Sequence, residues 1–179
     1  MEKTLKKNNI FSGRVFEITV DDVLLSNGRT VEREKVHHNG GVCVLALLED
    51  GTVPLVRQYR YGVGIDSLEI PAGKLEKGED PEACGRRELA EECGFLAESF
   101  ISLGKIYPTP AYCSEVIYLF LAKGLSRTQT RLDENEILSV EYVPSERLVD
   151  MCRGGEINDA KTIAAVFRSI DNGQWTVDN

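Results

Sequence analysis

Residues 73–95 read GKLEKGEDPEACGRRELAEECGF, and the second half of that stretch decides how the rest of the chain is read. Asp80 is a ready N-cap, Pro81 suits a first turn whose N–H has no intrahelical partner, and Gly94 stands where a left-handed residue ends a helix. The spacing predicts a helix over 81–93. At 100° per residue Ala83, Gly85, Leu89, Ala90 and Cys93 fall on one side, while Arg87, Glu88, Glu91 and Glu92 gather on the other. Glu88 and Glu92 are four residues apart and Glu91 is three from Glu88, so the like charges repel by roughly a few tenths of a kcal/mol per pair. Two readings account for the crowding. One is a solvated helix face on which Arg87 pairs with Glu91. The other is a patch of hard oxygen ligands of the kind magnesium and manganese prefer, where a bound ion turns repulsion into coordination.

The 179 residues, 42% hydrophobic and 28% charged, have the composition of a globular protein and suffice for one domain with its own core. No apolar run approaches the roughly 18 residues a membrane span needs, so no membrane partner is expected. The amino terminus, MEKTLKKNNIF, has no apolar stretch of signal-peptide length behind its lysines, which points to a cytoplasmic protein. Cysteines 43, 84, 93, 113 and 152 are odd in number and lack a C-x-x-C pair; they read as reduced thiols rather than as a disulfide framework or zinc ribbon. The formal charge of −8 argues against a general nucleic-acid binder. A small anionic ligand held by local arginines or metal ions is still compatible with it.

Outward from the central stretch, the pattern is α+β. The first forty residues read as a hairpin, with GRVFEITVDDVLL and RTVEREKVHH alternating around a two-residue Asn27-Gly28 turn. GVCVLALL (41–48) reads as a buried strand, Asp50-Gly51 as a turn, and VPLVRQYRY (53–61) as an antiparallel neighbour, making a second hairpin. Shorter strands are expected at 67–70, 99–107, 115–123 and 137–143, and further helices at 145–152 and 159–170. Regular β-α-β alternation is missing, so a mixed sheet with few helices is expected rather than a doubly wound fold.

The stretch 73–95 resembles the signature of the Nudix hydrolases, G-x5-E-x7-R-E-U-x-E-E-x-G-U with U a bulky apolar residue. Gly73, Glu79, Arg87, Glu88, Leu89, Glu91, Glu92, Gly94 and Phe95 fill every specified position. At average residue frequencies, such a match somewhere in the chain arises by chance on the order of once in 10⁷. The resemblance implies an α/β/α sandwich with a mixed sheet and a metal-dependent hydrolase of nucleoside diphosphates linked to another moiety. It implies that Glu88, Glu91, Glu92 and the carbonyl of Ala72 ligate Mg2+, with Mn2+ as a substitute, that Arg87 orients carboxylates, and that Glu79 pairs with Arg87.

Five stretches outside the signature resemble the ADP-ribose pyrophosphatase branch. Pro110, the sixteenth residue after Gly94, lies in YPTPAYCSE, where the branch commonly has S-P-G followed by an acidic residue. Thr109 and Ala111 depart from that loop, and Glu115 stands at the acidic position. VRQYRYG (56–62) followed by SLEIPAGKL (67–75) places Arg60 as a phosphate contact and Glu69 in the substrate site. RLDENEILSVEYVP (131–144) supplies an acidic loop in which Glu134 or Glu136 would be the general base. TVEREKVHHNGGV resembles the strand that leads from the amino-terminal hairpin of the branch into its core sheet, which implies Arg33 as a candidate phosphate or ribose contact, and EINDAKTIAAVF, with Asp159, Lys161 and Thr162, resembles the closing helix of the branch.

By the same resemblance, residues 1–38 form a hairpin exchanged in a homodimer, residues 39–179 form the catalytic domain, and Phe16 is the candidate for stacking on adenine. The implied reaction is ADP-ribose plus water giving AMP and ribose 5-phosphate. Another nucleotide sugar, NADH or a diadenosine polyphosphate are alternative substrates, and a nucleotide-binding protein without turnover is the alternative of a different class.

Overall fold

The structure, a computed structural model, describes residues 1–132 and 137–176. They fall into two compact units. One comprises Met1–Gly40 with Tyr107–Val116, the other Gly41–Ile106 with Ile117–Asn179.

The first unit is a three-stranded antiparallel sheet in the order β1 (Lys3–Ser12), β2 (Phe16–Leu24), β3 (Thr30–His38). The expected hairpin is its β2–β3 half. The connection is a three-residue loop rather than the two-residue turn anticipated: Leu25 N–H donates to the Arg29 carbonyl (2.8 Å), Gly28 N–H to the Leu25 carbonyl (3.0 Å), and Gly28 sits at φ 82°. Only glycine adopts that last geometry without strain, which suits a turn closed by a left-handed residue. β1 has no counterpart in the sequence reading. KTLKKNNIFS is exposed along almost its whole length and so carries no alternation. Its pairing places Lys6 opposite Asp22 and Lys7 opposite Asp21, and an outer strand rich in lysine is protected from pairing with further chains. Segment 107–116 docks on β3 by Val36 N–H to the Tyr112 carbonyl (2.8 Å) and Ser114 N–H to the Val36 carbonyl (2.9 Å).

The second unit contains two sheets and three helices. The first sheet has the order β7 (Ala72–Lys74), β4 (Gly41–Ala46), β9 (Ile117–Arg127), β8 (Phe95–Ile106), with β4 and β9 parallel and the other pairs antiparallel. The second has the order β10 (Leu138–Pro144), β5 (Thr52–Arg60), β6 (Ile65–Glu69). The second hairpin expected from the sequence does not form. The Asp50-Gly51 turn is present, with Leu48 N–H on the Thr52 carbonyl (3.0 Å), but β4 takes β7 and β9 as neighbours while β5 takes β6 and β10. A strand buried at every residue, as β4 is, sits in the middle of a sheet where both edges are filled by distant segments.

The helices are α1 (Pro81–Cys93), α2 (Ser145–Gly154) and α3 (Ala160–Asp171), close to their expected bounds. Alternate residues of β4 face two different clusters. Cys43 and Leu45 join Leu55, Leu119, Leu121, Leu148, Ala165 and Val166, whereas Val44 and Ala46 join Leu89, Cys93, Phe95 and Ala122. Helices α2 and α3 thus cover one face and α1 the other, a layered mixed α+β arrangement. All five cysteines are free thiols. Among the described residues no helix is long and apolar enough to cross a membrane.

Candidate active site

The ends of α1 form as the local chemistry dictates. The Asp80 carboxylate accepts from Ala83 N–H (2.9 Å), Pro81 starts the helix, and Gly94 (φ 70°) closes it with its N–H on the carbonyls of Leu89 and Ala90. The helix is turned differently from the expectation. Ala83 is exposed, and the inward face consists of Cys84, Gly85, Glu88, Leu89, Glu92 and Cys93. Glu88 and Glu92 are 8% and 4% exposed, which rules out the solvated-face reading for both.

Buried carboxylates need partners, and β7 with Arg87 provides them. Glu92 Oε2 accepts from the Ala72 N–H (2.9 Å). Glu88 lies against Gly73 so closely that a Cβ there would stand 1.8 Å from Oε1 and 1.9 Å from Cδ; the strand accepts this side chain because residue 73 is glycine. Arg87 Nη1 donates to Glu88 Oε1 (2.8 Å) and Glu91 Oε2 (3.0 Å), and its Nε and Nη2 donate to Glu79 Oε1 (3.2 Å each). Burial works against the charged form of this guanidinium, but the Glu79 hydrogen bonds, the Glu88 charge and the Glu91 hydrogen bond outweigh it and raise its pKa above the usual arginine value. Arg87 Nη2 also donates to Cys84 Sγ (3.2 Å). Burial pushes the Cys84 thiol up to about 12, so it is a neutral packing group there and not a thiolate ligand.

Among the described residues, no three His, Cys, Asp or Glu side chains are gathered closely enough to hold a metal ion in these conformations, Glu88 and Glu91 being turned to Arg87. The donor set nevertheless fits a hard divalent cation. It is all oxygen, rooted on one rigid helix, and seated over a glycine that leaves room for a carboxylate.

A second charged group forms where β6 meets α3. Arg60 lies along the Glu69 carboxylate, with Nε to Oε1 at 2.8 Å and Nη2 to Oε2 at 2.5 Å. Lys161 Nζ reaches Glu69 Oε2 (2.5 Å) and Asp159 Oδ1 (2.8 Å). Asp159 caps α3 by accepting from Thr162 N–H (3.0 Å) and Thr162 Oγ1–H (2.6 Å), and Thr162 Oγ1 accepts from Ile70 N–H (3.0 Å). Burial tends to raise the Glu69 pKa, but the Arg60 hydrogen bond and the charge and hydrogen bond of Lys161 overcome it and hold the carboxyl near about 2. A cleft of about 480 Å³ opens beside this group, lined in part by Arg60, Ile65, Asp66, Glu69, Asp159 and Lys161.

Residues 37–166 match the model of the NUDIX domain family. The chain belongs to the Nudix family. It is 41% identical over 167 residues to an ADP-ribose pyrophosphatase of Bacillus subtilis, covering 92% of this chain and 90% of the relative. It is 42% identical over 167 residues to a methanol dehydrogenase activator of Bacillus methanolicus, with the same coverage. A crystal structure of an ADP compounds hydrolase superposes with a TM-score of 0.84 at 26% identity, covering 98% of this chain and 97% of that one.

In this Nudix protein the residues singled out from sequence divide into two sets. Ala72, Glu88, Glu91, Glu92 and Arg87 come together around α1, and Arg60 and Glu69 pair beside α3, all within the second unit. Arg33, Pro110 and Glu115 belong to the first unit. Arg33 is half-exposed and pairs with Glu2 through Nη2 to Oε1 (2.8 Å). Pro110 lies in a turn in which the Thr109 carbonyl accepts from Cys113 N–H (3.0 Å). Glu115 Oε1 stands 3.5 Å from His38 Nδ1, but that nitrogen already accepts from Gly40 N–H (3.0 Å) and so does not donate to the carboxylate. Glu134 and Glu136 lie outside the described residues. The chain that leads to them is tied to α1, since Arg131 N–H donates to the Glu91 carbonyl (3.0 Å). Sequence reasoning gave no role to Lys161 and Asp159. The signal available was a buried-strand glutamate, at 69, with a lysine in a first helical turn 92 residues later, and no local spacing relates the two.

Proposed function

We propose that this Nudix protein hydrolyses the pyrophosphate bond of ADP-ribose to AMP and ribose 5-phosphate, with magnesium or manganese as cofactor. The observation that carries the reading is the burial of Glu88 and Glu92 against Ala72–Gly73 within a fully matched signature. Glu88 and Glu91 share Arg87 while Glu92 is held by the Ala72 N–H, so three carboxylates stand on adjacent turns of one helix, and hard oxygen donors select a hard ion. The relative named ADP-ribose pyrophosphatase and the solved ADP compounds hydrolase support an ADP-linked substrate.

Glu88, Glu91, Glu92 and the Ala72 carbonyl are the proposed ligands. A cation held there supplies charge neutralisation at a diphosphate and lowers the pKa of a bound water. Arg87 keeps the carboxylates oriented. Arg60, whose Nη1 edge is left open by Glu69, and Arg33 bind phosphate or ribose oxygens, with Pro110 and Glu115 in the substrate loop. Glu134 or Glu136 accepts the proton of the attacking water, a reading supported by Arg131, a few residues earlier in the chain, whose N–H donates to the Glu91 carbonyl. Exposed Leu5, Ile10, Phe11 and Phe16 in the amino-terminal sheet support a homodimer formed through it, and five free thiols suit a cytoplasmic enzyme.

The test is turnover of ADP-ribose, a second nucleotide sugar, NADH and a diadenosine polyphosphate with magnesium, and in parallel with manganese, in oxygen-18 water. Release of AMP from ADP-ribose with the highest kcat/KM of the panel is expected. Label in AMP places attack at the adenosyl phosphorus, and label in ribose 5-phosphate places it at the other. Absence of AMP with either metal refutes the proposal.

A further inference from the structure

The cluster at the start of α3 contains two cations and two carboxylates, yet the four residues differ sharply in access to solvent. The Arg60 side chain is 41% exposed, whereas those of Glu69 and Lys161 are 5% and 11% exposed. Glu69 engages Nε and Nη2 of Arg60, so both N–H bonds of Nη1 and the second of Nη2 stay available, in one plane and with fixed direction. Lys161 shares Glu69 Oε2 with Arg60 and anchors the carboxylate from α3. Lys161 is fixed in turn by Asp159, whose other oxygen takes both donors of Thr162, and Thr162 holds the backbone of Ile70 beside Glu69.

We infer that Lys161 is a positioning residue for substrate binding: by sharing the buried Glu69 carboxylate it fixes the plane of Arg60 and so the direction of the guanidinium edge that faces a diphosphate. The inference rests on the proposed role of Arg60 in binding phosphate. Without Lys161, Glu69 loses one of the two cations that hold Oε2, so the carboxylate, and with it the plane of Arg60, is free to turn. The effect falls on binding of ground state and transition state alike, hence on KM rather than kcat.

The test is a double-mutant cycle of Lys161→Met and Arg60→Ala, read as KM and kcat for ADP-ribose with magnesium and as the calorimetric dissociation constant of ADP-ribose without added metal. Lys161→Met is expected to raise KM and the dissociation constant about tenfold with kcat within about twofold of wild type. In the Arg60→Ala background it is expected to add no further rise, because residues acting through one another are not additive. If Lys161→Met does not fold, Lys161→Gln, which keeps a hydrogen-bond donor without the charge, takes its place with the same expectation. An unchanged KM in the lysine variant alongside a raised KM in Arg60→Ala overturns this inference and leaves the phosphate role of Arg60 standing. Effects that multiply in the double variant overturn it as well. An unchanged KM in Arg60→Ala overturns the reading on which it rests.

Discussion

Gly73→Ala adds a single methyl group at the point where β7 passes under Glu88. Gly73 is not among the glycines with positive φ, so the alanine backbone is unstrained and the whole effect comes from contact. The new Cβ would lie 1.8 Å from Glu88 Oε1, 1.9 Å from Cδ and 2.4 Å from Cγ. Restoring ordinary separation requires the carboxylate to retreat by about 1.5 Å, given that carbon atoms rest roughly 3.5 Å apart. A flexible glutamate makes that move by changing rotamer, so folding is expected to lose only about 1–3 kcal/mol. A displacement of about 1 Å in a positioned group costs on the order of 100-fold in rate, so kcat should fall by that factor or more. The assay is steady-state turnover of ADP-ribose over a magnesium titration, with calorimetric titration of manganese and thermal denaturation run on the same samples. A variant that keeps wild-type kcat and manganese affinity would refute the placement of Glu88 as a ligand, and one that loses activity only in proportion to unfolding would refute the mechanism argued for Gly73.

Three further outcomes are expected. Glu92→Gln keeps an oxygen for the Ala72 N–H but loses the charge, so its Tm should stay near that of wild type while turnover at saturating magnesium collapses; retained turnover would remove Glu92 from the ligand set. Glu69 has its folded pKa lowered to about 2 from an ordinary 4.5, so its ionisation stabilises the protein above pH 4.5 and that contribution is lost as pH falls toward 2. Glu69→Gln should therefore be less stable at pH 7 by about 3 kcal/mol, with the gap to wild type closing across that window in urea titrations. Asp80→Ala removes the acceptor for Ala83 N–H and should cost about 1 kcal/mol by denaturant unfolding, with KM unchanged.

What could be read from the chain was what its neighbours along the sequence determine. Asp80, Pro81 and Gly94 bound α1 through contacts within five residues, and the helix begins and ends where they predict. The face it buries was misjudged, because a helical wheel weighs Glu88 and Glu92 as solvent-seeking and cannot see the N–H of Ala72 or the space above Gly73. Strand partners were illegible for the same reason. VPLVRQYRY reads equally well as a strand whether its neighbour is β4 or, as found, β6 and β10. β1 left no trace because a lysine-rich outer strand has no buried face to pattern. Lys161 and Glu69 meet across 92 residues, and each taken alone has the sequence context of an ordinary surface or strand residue.

The parallel pairing of β4 with β9 also sets the order in which the molecule can be assembled. Gly41 pairs with Ile117 and Ala46 with Ala122, so the central sheet closes across 76 residues, and α1 lies entirely inside that span. Such closure is slow because the entropy of the intervening chain is lost before any contact is gained. During synthesis the acidic helix is complete long before residue 122 leaves the ribosome. Until then the floor on which Leu89 and Cys93 pack is incomplete, Ala122 being part of it, and Glu88, Glu91 and Glu92 are still three ordinary residues of an unfinished chain.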